Sequence, residues 1–414
     1  MTHIVVVGAG IVGLSVAHHL LNEGVRVTVV DPDPLGDKAS NGNAAGIGVT
    51  EVIPACVPGV LRKVPGWLLD PLGPLAIRPM HAPKLIPWLL KFSKASSESE
   101  LQRLSEALAQ INKRVYDDLL PMLEQHGLMG DLHREGALTV YEHQDAFQRD
   151  QKFWDLKASH GVEVISLSGA EVREMEPALS HSVVKGIFTP QWSQVSDPKA
   201  LVDKLRESLV RSGLLVVQGR VRDICSTVGR GAAALVLDGG QFIEADKVVV
   251  ACGAWSGVLA ARIGDRVLLE SERGYNSTIA RPGVKLGREV IFAERHFVAT
   301  PLSIGLRIGG AAEFGGLDAV PNFKRSKALV ELASMYLPGL RSQGGVHWAG
   351  HRPTTPDSLP VIGTSPSNPR VVYAFGHGHL GLTQAATTGR LVCDLVFGKP
   401  ALIDLAPYAI SRFA

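Results

Sequence analysis

Apolar positions change period twice within the first 31 residues of this chain. His3–Val7 is a short, largely β-branched run, as a strand covered on both faces requires. Ile11–Asn22 carries apolar residues at helical spacing, and Gly24 stands where a left-handed residue closes a helix. Residues 25–30 (VRVTVV) return to strand and end at Asp31. The order strand, helix, strand predicts a βαβ unit with a right-handed crossover.

Similar signals recur downstream. Residues 98–126 read as amphipathic helix with acidic caps, and residues 134–142 and 162–192 contain strand-like runs. Residues 198–213 read as a helix begun by Pro198 and stopped at Gly213. Residues 214–217, Ala233–Leu237 and Lys247–Val250 read as strands, with Asp238-Gly239-Gly240 as a hairpin turn. Residues 267–310 alternate short strands and turns, which predicts an antiparallel sheet, and residues 324–336 look helical. Val371–Phe375 is a strand, followed by a Gly-rich turn and a helix over residues 382–396. The fold class is therefore α/β. A Rossmann-like dinucleotide-binding domain is expected from the discontinuous segments 1–50, 196–260 and 351–414. Residues 51–195 and 261–350 are expected to form an antiparallel-sheet α+β substrate domain.

Composition narrows the class. Forty-two Lys and Arg against 40 Asp and Glu leave a net charge of +2, so there is no electrostatic case for nucleic acid or for a strongly anionic surface. Cys56, Cys225, Cys252 and Cys393 are scattered, without the spacing of a metal site, and read as buried free thiols in a reducing compartment. No signal peptide is apparent, and no stretch approaches the ~20 apolar residues of a membrane span. A cytoplasmic location is expected. Residues 83–92 (PKLIPWLLKF) are apolar but too short to span and contain lysines. They read as a lid or interface helix, or as a peripheral contact with the inner face of the cell membrane.

The chemistry begins at Gly8-Ala9-Gly10-Ile11-Val12-Gly13. This G-x-G-x-x-G follows a strand and opens a helix, the context that gives the motif meaning. Gly8 permits the tight turn, Gly10 lets backbone approach a pyrophosphate, and Gly13 lets helix and strand pack closely. The helix N-terminus offers unpaired N–H groups and a positive dipole end. Asp31 lies 18 residues after Gly13, where a carboxylate reaches ribose hydroxyls and would repel a 2′-phosphate. The motif alone does not decide between FAD and NAD.

Four further segments favour FAD. Gly350-His351-Arg352-Pro353-Thr354-Thr355-Pro356-Asp357-Ser358-Leu359-Pro360-Val361-Ile362-Gly363 resembles the G-x-R-P-x-x-x-D-x-x-P-x-I-G signature of the D-amino-acid oxidase superfamily. Thirteen residues later, Gly376-His377-Gly378-His379-Leu380-Gly381-Leu382-Thr383 resembles the G-H-G-x-x-G-x-T turn of its D-amino-acid dehydrogenase branch. Residues 40–46 (SNGNAAG) and 249–255 (VVACGAW) are similar to two other segments of that branch. The resemblance implies FAD, held non-covalently because no cysteine sits in an attachment motif. It assigns cofactor contacts to Gly8, Gly10, Ile11, Val12, Gly13, Asp31, Pro32, Ser40, Asn41, Asn43, Ala44, Val221, Gly253, Trp255, Gly376, Gly378, Leu380, Gly381, Leu382 and Thr383. The turn at Gly376–Gly381 would aim a helix N-terminus at the flavin edge where negative charge builds on reduction.

For the substrate, the resemblance implies that Arg352 binds a carboxylate, a task suited to a planar, always-charged guanidinium. A structural ion pair is the competing reading. His379, 27 residues on, stands where glycine oxidase-like members carry arginine; it would bond substrate or be a buried, satisfied histidine. Tyr275 in Glu272-Arg273-Gly274-Tyr275 would line the pocket beside the flavin or simply fill the core. His351, His377, Glu294 and His296 are weaker candidates.

The implied reaction is oxidation of a D-amino acid to the imino acid by hydride transfer from Cα to the flavin, with electrons passed to a quinone or similar acceptor. Residues 57–65 and 72–78 resemble members acting on D-hydroxyproline, which points to a proline-like cyclic amine. Three alternatives stay open: an oxygen-using glycine or sarcosine oxidase, a non-catalytic flavoprotein subunit, and an NAD-linked dehydrogenase. Oligomeric state is not legible.

Overall fold

The computed structural model describes residues 1–70, 73–226 and 233–414; Leu72, which opens one of the hydroxyproline-like segments, lies outside them. The predicted βαβ unit is present and seeds a six-stranded sheet. Its spatial order is Leu215–Gln218, Arg26–Asp31, His3–Val7, Lys247–Val250, Val371–Phe375 and Val361–Thr364. The first five strands run parallel, with Val5 opposite both Thr28 and Val248, and the last turns back antiparallel.

Alternation along His3–Val7 explains why both faces are covered. Ile4 and Val6 enter a core with helix α1 (Ile11–Asn22) and the C-terminal helix Gly381–Phe397. Val5 and Val7 enter a second core under the meander Val221–Ser226, Ala233–Leu237 and Phe242–Ala245. The two helices nearly touch, because a Cβ on Gly389 would lie 2.6 Å from the Ser15 carbonyl oxygen.

The second large sheet is built in the order Val346–Thr354, Glu270–Ile279, Gly305–Phe314, Phe297–Leu302, Glu289–Phe292, Ala137–Tyr141, Lys185–Thr189 and Ile165–Ser168. Most pairs are antiparallel, as predicted. Two are not: Glu289–Phe292 runs parallel to Ala137–Tyr141, and the short strand Leu75–Ile77 runs parallel to Gly305–Phe314. Both pairs join segments about 150 residues or more apart in the chain, which no local turn signal reports.

Four helices lie between the first βαβ unit and strand Ala137–Tyr141 of this sheet: α2 (Val60–Leu69), α3 (Ala82–Ala95), α4 (Glu98–Lys113) and α5 (Val115–Gln125). The single helix expected over residues 98–126 is divided at Arg114, which ends α4 and begins α5. Leu104, Leu108 and Ile111 of α4 and Leu119, Met122 and Leu123 of α5 share the core of Ile4, Leu14 and Leu391. Residues 98–125, expected in the second domain, thus pack with the six-stranded sheet. A further helix, Gln144–Ser159, carries Trp154 and Lys157 to the cavity described next.

Candidate functional site

One cavity of about 2130 Å³ lies between the six-stranded sheet and the second large sheet. It runs from Asp31, past the start of α1 and the 40–48 loop, to the start of helix Gly381–Phe397. Arg352, Glu272 and Glu289 wall its other side.

At the first end, Gly8 takes φ +112°, and a Cβ there would strike the Ala251 carbonyl oxygen at 2.5 Å. A Cβ on Gly13 would lie 2.0 Å from the Gly8 carbonyl oxygen, so Gly13 serves helix–strand packing rather than the cavity, which it does not line. Gly10 differs: its missing side chain would meet only Ser40 Oγ, at 3.2 Å. Asp31 is buried; its Oδ2 accepts from Ala9 N (2.8 Å), and its Oδ1 accepts from Asp33 N (2.9 Å) and Lys38 Nζ (3.1 Å). Lys38 was not among the sequence candidates.

The 40–46 loop has no regular structure before Gly46 yet is held firmly. Ser40 Oγ accepts from Ile11 N at 3.0 Å. Asn43 Oδ1 accepts from Ala45 N and its Nδ2 donates to Ser40 O, both at 2.8 Å. From the second sheet, Asn276 donates to Gly42 O (2.5 Å) and Arg307 to Asn43 O (2.6 Å). Asn41 is a correction to the expected contacts: it is buried off the cavity, and its amide donates to Gly36 O at 3.3 Å.

At the far end, Gly376 (φ +83°) and Gly378 (φ +53°) make the turn into the last helix, and Thr383 Oγ1 accepts from Gly48 N at 2.9 Å. Gly376 shapes the turn without lining the cavity; Gly378, Leu380, Gly381, Leu382 and Thr383 do line it, as do Ile11, Val12, Pro32, Asn43, Ala44, Val221, Gly253 and Trp255. Gly253 has no atom within 4 Å of an added Cβ, and at Gly378 the nearest lies 3.9 Å away. Glycines with free space on their cavity side are what close approach by a long ligand needs.

Arg352 and Glu272 are register partners on adjacent strands. Arg352 Nη1 donates to Glu272 Oε1 (2.7 Å) and to Ala311 O (3.2 Å). The guanidinium lies across Gly274, where a Cβ would meet its Cζ at 2.6 Å. Both reach the cavity, with side chains 29% and 22% exposed. The ion pair foreseen as the competing reading therefore exists, but inside the cavity. Tyr275, on the strand's other side, packs with Leu329 and Ala333; its hydroxyl donates to Glu313 (3.1 Å) and accepts from Asn322 N (3.0 Å). It borders the cavity, and both hydroxyl partners lie on the protein.

His379 lines the cavity, and its side chain is exposed there. Burial lowers its pKa, with Arg352 and Lys157 adding to the effect and Glu51 and Glu272 opposing it. Two ion pairs thus flank it: Glu272–Arg352 and Glu51–Lys157 (2.7 Å). Burial pushes Glu51 up, but Lys157 holds it below its ordinary value overall. Beside them Glu289, only 2% exposed, accepts from Trp192 Nε1 at 3.3 Å. Burial, with the Glu51 charge, pushes its pKa up to about 8. His377 is held by Thr388 (2.9 Å) and drops by burial to about 3; His351 is held by Ser271 (2.6 Å) and drops, by burial first, to about 4. Glu294 pairs with His143 on the surface, and His296 stacks edge-on with Trp67.

Glu51, Lys157, Glu272 and Glu289 escaped sequence reading. Only Glu272 carried a signal: it precedes Gly274 by two on one strand, so both face the same side.

A cavity opened on by helix N-termini at two separate places, with glycines lining it at both, suits an extended dinucleotide. The class is that of the flavin-dependent oxidoreductases. The chain belongs to the FAD dependent oxidoreductase (DAO) family, whose model matches residues 3–395. It is 37% identical to a D-amino-acid oxidase of Bradyrhizobium diazoefficiens, over 99% of each chain. It is 31% identical to a D-amino acid dehydrogenase of Ralstonia nicotianae, over 99% of this chain and 100% of that one. Glycine oxidase from Geobacillus kaustophilus shares the fold, with a TM-score of 0.75 at 23% identity over 100% of this chain and 99% of that one. This protein is an FAD-dependent oxidoreductase.

Proposed function

We propose that this protein oxidises a D-amino acid to the imino acid, and that a proline-like cyclic amine is the preferred substrate. The observation that carries the reading is Arg352, a guanidinium reaching the cavity on the sheet facing the two helix N-termini. The names of the D-amino-acid enzymes it resembles support it. Bound FAD supplies hydride acceptance. The chain's part is orientation: Arg352 holds the substrate carboxylate, His379 borders the substrate space, and Gly378–Leu380 with the following helix direct N–H groups at developing negative charge. Tyr275 borders the same cavity, with its hydroxyl held by Glu313 and Asn322 N.

Electrons pass to a quinone or similar acceptor in this reading. A second reading, in which oxygen is the acceptor, is favoured by the 37%-identical relative named as an oxidase. The test is the flavin band near about 450 nm. It should bleach when D-proline, D-hydroxyproline or D-alanine is added without oxygen, and not with the L-enantiomers. Bleaching by no D-amino acid would end the proposal. Peroxide formed at full turnover would move the acceptor from quinone to oxygen.

Contact with a membrane surface belongs to the same proposal. Leu61, Leu68, Leu69, Ile86 and Leu90 of α2 and α3 are exposed beside Arg62, Lys63, Lys84 and Lys94, and several of them border the cavity mouth. Among the described residues no helix is long and apolar enough to cross a membrane.

A further inference from the structure

We propose that Glu272 binds the substrate's ammonium group, so that Arg352 and Glu272 together recognise a zwitterion rather than a carboxylate alone. The inference rests on the amino-acid reading above and adds the residue that tells an amino acid from other acids.

The geometry is specific. The two side chains are cross-strand partners at 2.7 Å, and both reach the cavity. Arg352 Nη1 is committed to Glu272 and Ala311 O, while among the described residues no acceptor is paired with its Nε or Nη2. Glu272 takes one bond at Oε1 and a long one, 3.3 Å, from Thr354 at Oε2. A carboxylate accepts about four bonds. Each partner therefore keeps capacity of its own sign.

Charge sets the consequence. An arginine already neutralised at 2.7 Å offers little net attraction to a bare carboxylate. The pair offers a plus beside a minus, which matches the carboxylate and ammonium of one amino acid. Removing the minus should free the plus. A bare carboxylate then gains, and a zwitterion loses a charge-assisted bond.

Glycine and acetate differ only in the ammonium group, as do alanine and propionate. Binding of each is read from competition with a substrate, and for acetate and propionate also from perturbation of the flavin spectrum in the FAD-loaded protein. Glu272→Gln should weaken glycine and alanine by about tenfold or more and leave acetate and propionate unchanged or tighter. Glu272→Asp, which keeps the charge, should recover part of the amino-acid affinity and confirm that the cavity is intact. Equal weakening of both ligand classes would mean that Glu272 only steadies Arg352, and would overturn the proposal. So would no change in either class. Should the wild type oxidise no amino acid, the wider reading falls, while the glycine–acetate ratio still decides the role of Glu272.

Discussion

Arg352 carries the functional reading, and its surroundings set the size of the expected effect. It is half inside an ion pair and half open to the cavity. Arg352→Ala removes the carboxylate anchor and leaves Glu272 unpaired. We expect kcat/KM for the best D-amino acid to fall about a hundredfold or more, mostly through KM, with FAD content unchanged. Unchanged kcat/KM would remove Arg352 from the site. Arg352→Lys should recover little, because an ammonium does not reproduce the two-pronged contact.

Glu289 makes a different prediction, about pH. Its carboxyl group is pushed up to about 8 in the folded protein by burial and by Glu51, from an ordinary value of 4.5. The folded state therefore binds the proton more tightly than the unfolded chain. Its contribution to stability is complete below about pH 4.5, erodes as the pH rises, and levels off once pH passes about 8. Glu289→Gln is neutral throughout. The variant should gain on the wild type steadily from pH 5 to 8, by a few kcal/mol at most, with no further gain above. Thermal unfolding at fixed ionic strength reads this directly, and a pH-independent difference between the two would show that Glu289 is ionised in the fold.

At the level of elements, the glycine loop separates packing from ligand contact. Gly13 cannot take a Cβ without moving α1, since that atom would sit 2.0 Å from Gly8 O. Gly13→Ala should cost about 1–3 kcal/mol of stability even without FAD. Gly10 takes a methyl group if Ser40 Oγ, which would lie 3.2 Å away, yields by a few tenths of an ångström, and its φ of −76° suits alanine. Gly10→Ala should fold normally and lose FAD affinity instead. Melting the apoproteins and titrating FAD into each distinguishes the two; identical behaviour would contradict the division of labour. Much of this was legible in the sequence, because loop, helix and Asp31 are neighbours in the chain. The division of residues 98–126 at Arg114 was not legible, for no glycine, proline or cap marks it. Nor was the core that α4 and α5 join: periodicity reveals an apolar face, not its partner. The Glu51–Lys157 pair spans 106 positions and lies on a loop and a helix, so only the fold brings it together.

For the whole molecule, charge is nearly balanced at +2, so attraction to a membrane must be local. α2 and α3 supply such a locality. Neither helix contains an acidic residue; together they carry Arg62, Lys63, Lys84, Lys91 and Lys94. α3 is pinned from below by Trp88, whose ring lies 5.3 Å from that of Phe314 and whose Nε1 donates to Thr354 O at 3.1 Å. Its opposite face leaves Ile86 52% and Leu90 68% exposed. An apolar face ringed by lysines is the arrangement of an interfacial helix. Because Thr354 follows Arg352 by two residues on one strand, the buried side of α3 lies close to the Arg352 wall of the cavity, and Ile86 and Leu90 also line that cavity. Vesicles containing about 30% anionic lipid should co-sediment the wild type at low salt, with each basic residue near the surface worth about 1 kcal/mol. Binding should weaken as ionic strength rises. Ile86→Ser with Leu90→Ser alters only exposed positions, so folding and dye-linked turnover in solution should persist while vesicle binding falls. Equal sedimentation of variant and wild type would place the contact elsewhere, and no sedimentation of either would leave the acceptor to reach the flavin from water.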